Sequence, residues 1–318
     1  MHRQTPAFPP ALALTIGVAA VSTGAIFVRL ADAPALVIAA YRCGLATLIL
    51  APISWMRARD ELGELALRDW ALALGSGFFL ALHFATWISS LDYTTVASSV
   101  LLVNTNPIWV GLLTPFLSND RITRLTAMGI AISVVGGIII GAGDFRIGGE
   151  ALLGDGLALL GAITVTFYFF IGRRLRQSVS LLSYVVLCYG AAAVILLAIV
   201  LVMGLPLTGY SSETYLWLLA LAIVPQIIGH SSYNWALGWF SASLIAVTLL
   251  GEPIGSTILA YFILGESVPL VTVQGGALIL LGIYLAARGE WVRGAGSGER
   301  NGREAGSGER GAERQVEA

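Results

Sequence analysis

The sequence predicts an all-α integral membrane protein: ten transmembrane helices arranged as two inverted five-helix repeats, with both termini cytoplasmic. Three observations predict it. Of 318 residues, 57 % are hydrophobic and 12 % charged, with a mean hydropathy of +0.82, whereas a soluble domain carries about 25 % charged residues. Nearly the whole chain to residue 288 divides into apolar runs, each close to the ~20 residues a helix needs to cross the hydrocarbon. The chain also repeats itself. Pro253 follows Pro107 by 146 residues, and at that offset Asn106 falls on Glu252, Ile108 on Ile254, Phe116 on Phe262, Asp120 on Glu266, Gly129 on Gly275 and Gly136 on Gly282. A period this long describes two related bundles rather than a solenoid.

The runs are 11–31, 35–55, 70–91, 95–117, 124–142, 153–172, 181–203, 214–236, 241–264 and 269–287. They group into a cytoplasmic N-terminus (1–10), a first repeat (11–142), a second repeat (153–287) and a tail (288–318). A backbone in lipid must satisfy its own hydrogen bonds, which favours continuous helices. A barrel would need alternating strands, and these runs do not alternate. His2 and Arg3 before the first run have the outline of a signal peptide. The run continues through Phe27-Val28-Arg29-Leu30 without a convincing cleavage site and is followed at once by further spans, so it reads as a retained span.

Arginine sets the orientation. The connections after the second, fourth and sixth runs carry Arg57, Arg59 and Arg68, then Arg121 and Arg124, then Arg173, Arg174 and Arg176. The termini add Arg3, Arg288 and Arg293, while the opposite connections carry Arg29 and Arg146. Five spans per repeat is an odd number, so the second repeat runs upside down relative to the first. Arg57 to Trp70 is amphipathic, either a short helix on the membrane surface or a solvated loop. Gly137 and Gly141 have the small-xxx-small spacing that lets helices approach, within the subunit or at a homo-oligomer face. The Gly/Glu/Arg-rich tail has no apolar face and is expected to be disordered. Cys43 and Cys188 fall inside apolar runs and read as small buried residues rather than a disulfide. All 18 basic residues are Arg, which fits a GC-rich prokaryotic genome.

A net charge of −1 with no basic stripe argues against nucleic acid as a partner. No serine-hydrolase, HExxH or Walker pattern and no paired metal ligands occur. Gly141-Ala142-Gly143-Asp144 matches the GxGD of intramembrane aspartyl proteases, but that chemistry needs a second Asp, usually after Tyr, and no Tyr-Asp pair is present. The chain reads as a non-enzyme without cofactor or metal.

Proline-broken polar segments at matching places in two halves point to a solute site near the bilayer midplane. Glu252 sits at the centre of the ninth run, where a charge costs roughly 2.5–3.5 kcal/mol and must face the bundle or a wet cavity. It either binds a cationic group or carries a coupling proton, or else caps the kink at Pro253 as a neutral acid. Pro253 frees the carbonyl of Leu249 by removing a backbone donor. Asn104 and Asn106, beside Pro107, suit amide, carboxylate or hydroxyl recognition, or serve as interhelical glue. Phe79, His83, Trp87 and Ser90 share one face of the third run. Gln226, His230 and Asn234 recur every four residues in the eighth, with Pro225 and Tyr233 beside them, and Trp87 falls on Tyr233. The two histidines either titrate in a useful range or pack by hydrogen bonding. The aromatics either wall a site or fill the core. Arg42 lies deep in the second run and reads as a structural ion pair with Asp32 or Asp92, or as a substrate contact.

The arrangement resembles the EamA family of the drug/metabolite transporter superfamily. The resemblance is carried by Phe27-Val28-Arg29, by Tyr41-Arg42, by Leu91 to Ala97 leading to Asn106-Pro107, by Ala236 to Ala242 leading to Glu252-Pro253, and by Leu264-Gly265-Glu266. It covers roughly residues 11–288. Ser118-Asn119-Asp120 departs from the family's usual Leu-Gly-Glu. The resemblance implies a ten-helix inverted-repeat bundle with a central cavity and peripheral fifth and tenth helices. It implies an exporter of small metabolites, amino acids among them, in the plasma membrane of a prokaryote. The expected partners are a small-molecule substrate and the bilayer. The expected substrate contacts are Asn104, Asn106, His83, Trp87, His230, Tyr233, Asn234 and Glu252, with Glu252 the proton-coupling candidate. A membrane receptor or scaffold that does not transport is the alternative.

Overall fold

A computed structural model describes residues 8–94, 96–118, 122–141, 150–264, 270 and 273–289. The expected N-terminal and C-terminal segments (apart from the residues just named), the GxGD aspartate Asp144, and Asp120 and Glu266 lie outside the described residues. Among the described residues the chain is helical throughout. The first repeat contains α1 (Pro10–Val21), α2 (Gly24–Leu30), α3 (Ala35–Glu64), α4 (Leu67–Tyr93), α5 (Val96–Val103), α6 (Asn106–Leu117) and α7 (Arg124–Gly141). The second contains α8 (Glu150–Leu175), α9 (Leu181–Val202), α10 (Ser212–Leu221), a π-helical stretch Ala222–His230, α11 (Ser231–Ala236), α12 (Ala242–Leu249), α13 (Gly251–Leu259), a second π-helical stretch Ala260–Leu264, and α14 (Val273–Gly289). Among the described residues, seven helical segments are long and apolar enough to cross a membrane. The fourth, fifth and tenth apolar runs are occupied by the pair α5–α6, by α7 and by α14.

Local chemistry sets the ends. Pro10 opens α1 at a position where its missing N–H costs nothing. Ser180, Ser211 and Ser241 cap α9, α10 and α12, each accepting a hydrogen bond from the backbone N–H three residues on. The segment from Arg57 to Trp70 forms neither a separate surface helix nor a loop. α3 continues through it to Glu64, and a two-residue turn leads straight into α4. Its 30 residues span about 45 Å, well beyond the ~30 Å of hydrocarbon. Glu61 on this extension accepts hydrogen bonds from Ser180 N (2.7 Å) and Ser183 Oγ (2.5 Å), tying α3 to the start of α9.

The core is built where the two repeats interlock. α4 packs along α8 and α9, α3 along α9, and α1 against the first π stretch and α11. Small residues let the backbones meet. A Cβ at Gly77 would strike the Cys188 carbonyl, and one at Gly17 would lie 2.6 Å from the Tyr233 ring. α7 and α14 meet the same way. A Cβ on Gly129 would lie 2.5 Å from the Gly282 carbonyl, and one on Gly136 would lie 2.6 Å from the Gly275 carbonyl. Between them Ser133 Oγ donates to the Ile279 carbonyl at 3.4 Å. The pairing is antiparallel and reciprocal, because a shift of 146 residues maps Gly129 on Gly275, Ser133 on Ile279 and Gly136 on Gly282. The close contact on α7 is thus made by Gly129, Ser133 and Gly136. The surroundings of Gly137 and Gly141 lie outside what the structure describes.

Candidate functional site

Three apolar runs that look continuous in sequence are broken. α5 stops at Val103 and α6 restarts at Asn106, while α12 stops at Leu249 and α13 restarts at Gly251. Val103 and Leu249 are the residues whose carbonyls Pro107 and Pro253 leave without an i+4 donor, so the breaks fall where proline chemistry puts them. The third break, at Ser22–Thr23 between α1 and α2, has no proline. Ser22 and Thr23 turn their hydroxyls back on the carbonyls of Val18 and Ala20, each at 2.7 Å, and from outside Ser256 Oγ donates to the Ser22 carbonyl at 3.0 Å, with the Glu252 carbonyl 3.4 Å from Ser22 Oγ. Gly255 leaves the room this requires, since a Cβ there would collide with Ser22.

The breaks converge on one cavity with the π stretch, a helical form that recurs at functional sites. It is lined by Val21, Arg42, His83, Trp87, Val103, Asn104, Asn106, Val165, Phe169, His230, Leu249 and Glu252, and its volume is about 30 Å³. That is room for a few water molecules at most, so the centre is closed around itself in this conformation.

Its polar groups are arranged in a ring. Arg42, only 2 % exposed, donates from Nε to Gln226 Oε1 at 2.8 Å, and its guanidinium lies 4.1 Å from the centre of the Phe84 ring. Glu252 lines the same cavity as Asn104 and acts electrostatically on Arg42. Asn104 donates to the Val100 carbonyl at 2.8 Å. His83 Nδ1 pairs with the Gly161 carbonyl at 2.9 Å, and its ring stacks 6.0 Å from Trp87. The His83 and His230 rings are 6.5 Å apart. Trp87 Nε1, Asn106 Oδ1 and His230 Nδ1, and behind them Gln226 Nε2 and Tyr233 OH, are buried with no protein partner. Buried polar atoms are normally hydrogen-bonded, so a concentration of unpartnered ones around one cavity marks a place prepared for something else.

Of the eight residues expected to contact substrate, Asn104, Asn106, His83, Trp87, His230 and Glu252 line this cavity. Tyr233 packs behind it, 6.1 Å from the His230 ring. Asn234 lies outside the lining, accepting from Tyr168 OH at 2.8 Å and donating to Tyr189 OH at 3.2 Å. Pro107 and Pro253 are both buried beside the breaks. Arg42 forms no ion pair with Asp32 or Asp92; it belongs to the central ring. Phe169 and Val165 on α8 had no polar or proline signal to single them out, and Phe84 could have been found only by its place one residue from His83. Among the described residues no cluster of metal-ligating side chains occurs.

Comparison with known proteins follows the same two-part division. Residues 9–142 and 152–288 each match the EamA-like transporter family. An uncharacterized transporter from Archaeoglobus fulgidus is 25 % identical over 283 residues, covering 86 % of this chain and 95 % of that protein. One from Clostridium kluyveri is 27 % identical, covering 70 % and 71 %, and the uncharacterized transporter YdfC of Bacillus subtilis is 24 % identical, covering 75 % and 76 %. A protein crystal structure shares the fold with a TM-score of 0.70 at 21 % identity, covering 87 % of this chain and 96 % of the other. With both repeats matched and its apolar helices long enough to cross a bilayer several times, the chain is a multi-pass membrane protein that belongs to the EamA-like transporter family.

Proposed function

We propose that the chain exports small polar or aromatic metabolites, amino acids among them, across the plasma membrane of a prokaryote. Two inverted five-helix halves, ten spans in all with both termini cytoplasmic, rock about the level of Asn106 and Glu252. The observation that carries the reading is the convergence of two equivalent proline breaks on one buried cavity ringed by polar atoms that lack protein partners. The antiparallel seam of α7 and α14 supports the inversion. Arg42 and Asn106 suit a carboxylate or amide, and Glu252 takes an ammonium or the coupling proton. His83 and His230 flank them, and Trp87 with Tyr233 walls an aromatic or aliphatic side chain. Asn234 holds α11 to α8 and α9 through its two tyrosines.

The test is release of labelled amino acids from preloaded sealed proteoliposomes, with and without a proton gradient. Release of a subset above protein-free vesicles is expected, accelerated when the gradient opposes substrate movement. Equal release from vesicles with and without protein, across amino acids and other small metabolites, would reject the carrier reading in favour of a receptor or scaffold.

A further inference from the structure

A second cavity lies above the first on the same three helices. Its volume is about 390 Å³, and its walls include Arg29, Asp32 and Asp92. On α3 it begins at Ile38, four residues or about 6 Å from Arg42. On α1–α2 it begins at Val28, seven residues beyond Val21, and on α4 at Ile88, next to Trp87. On the side toward the first cavity its lining is Val28, Ile38 and Ile88, which are 7 %, 2 % and 0 % exposed. These three buried apolar side chains form a plug at the base of a roomy mouth, on the side of the closed centre. The mouth opens at the ends of α2 and α4, on the membrane face opposite the Arg-rich connections.

The charges at the mouth are of both signs. Arg29, Asp32 and Asp92 are exposed, and none of them forms an ion pair with another. Arg29 nonetheless acts electrostatically on Asp92. Pockets of roughly 300–1,000 Å³ suit small ligands. A guanidinium grips a carboxylate through its fork of donors, and a carboxylate holds an ammonium. We propose that this mouth is a separate docking site for zwitterionic solutes of the α-amino-acid class, with Arg29 taking the carboxylate and Asp92, assisted by Asp32, the ammonium. The plug of Val28, Ile38 and Ile88 decides when a docked solute exchanges with the centre. The assignment rests on the carrier reading only for the meaning of that exchange; docking itself does not require transport.

The experiment places a cysteine at Ala33, a half-buried wall residue of the mouth, in the full-length protein in right-side-out vesicles. Cys43 and Cys188 are buried, so the unsubstituted protein is the blank for a membrane-impermeant methanethiosulfonate. Three probes compete with labelling: leucine, its amine half 3-methylbutylamine and its acid half 4-methylpentanoate. Leucine is expected to protect at a concentration at least about five-fold below either half, because two charge contacts act together. Arg29→Gln should make leucine no better than the amine, and Asp32→Asn with Asp92→Asn should make it no better than the acid. Asn106→Ala should leave protection unchanged. Equal protection by all three probes, no protection by any, or protection lost with Asn106→Ala would overturn the proposal. Leucine carried without protection sinks the mouth site alone; protection without transport of any solute sinks the carrier reading alone.

Discussion

Glu252 and Arg42 are ionisable side chains buried around the central cavity, and each makes a separate prediction. Glu252→Gln keeps the shape but removes the carboxylate. A hydrogen bond to a charged group is worth about 1.5–3 kcal/mol, so flux in proteoliposomes should fall at least about tenfold. Thermal unfolding in detergent should be unchanged or later, since a buried ionisable group gives way to a neutral amide of the same shape. Unchanged flux would remove Glu252 from the transport site. Arg42→Gln should behave differently. It takes the charged donor from Gln226 Oε1 and the cation from Phe84, at a cost of about 1–3 kcal/mol. Both flux and thermal midpoint should drop. The polar members of this site were legible because each interrupts an apolar run. Arg42 was legible as a buried charge, but a sequence gives depth along a helix and not the direction a side chain faces, so its partners were not. Asn234 seemed to continue the Gln226–His230 stripe at every fourth residue. The π stretch ends at His230, and its i+5 turns are wider than α turns. The periodicity that links 226 to 230 therefore does not carry on to Asn234, which turns toward Tyr168 and Tyr189.

Among the elements, the broken helices surround the candidate site. The breaks at Pro107 and Pro253 follow from missing donors and could be read directly from sequence. The break at Ser22–Thr23 had only the weak local signal of two adjacent hydroxyls bonding back to α1, and the rest of what holds it sits some 230 residues away in Ser256 and Gly255. Pro253→Ala returns a backbone donor for Leu249 and favours a continuous helix from Ala242 onward. The fold should survive with an equal or higher thermal midpoint, while flux falls because Glu252 is rotated out of the ring. Retained flux with a stabilised protein would show that the break is dispensable. The length of α3 was hidden for a simpler reason. Charged residues such as Arg57, Arg59, Asp60 and Glu61 end a hydrophobic run but not a helix, and Arg and Glu favour continued helix in water.

At the scale of the whole molecule, the seam between α7 and α14 distinguishes packing from function. Gly136→Leu and Gly282→Leu press side chains into the two equivalent crossings of the seam, and overpacking of this kind costs about 1–3 kcal/mol. Both should lower the thermal midpoint by similar amounts and leave the substrate preference among amino acids intact. A large difference between them would contradict the reciprocity of the contact. That reciprocity has a further consequence. In the rocking proposed above, the two halves trade arrangements, and the crossing made by Gly129 with Gly282 and Gly136 with Gly275 would be carried onto itself. The backbone crossing would then be the fixed point of the exchange. Any tilt between the inward-open and outward-open forms would come from positions where the halves differ, such as Ser133 against Ile279 within the seam and, above all, Asn106 against Glu252 at the cavity.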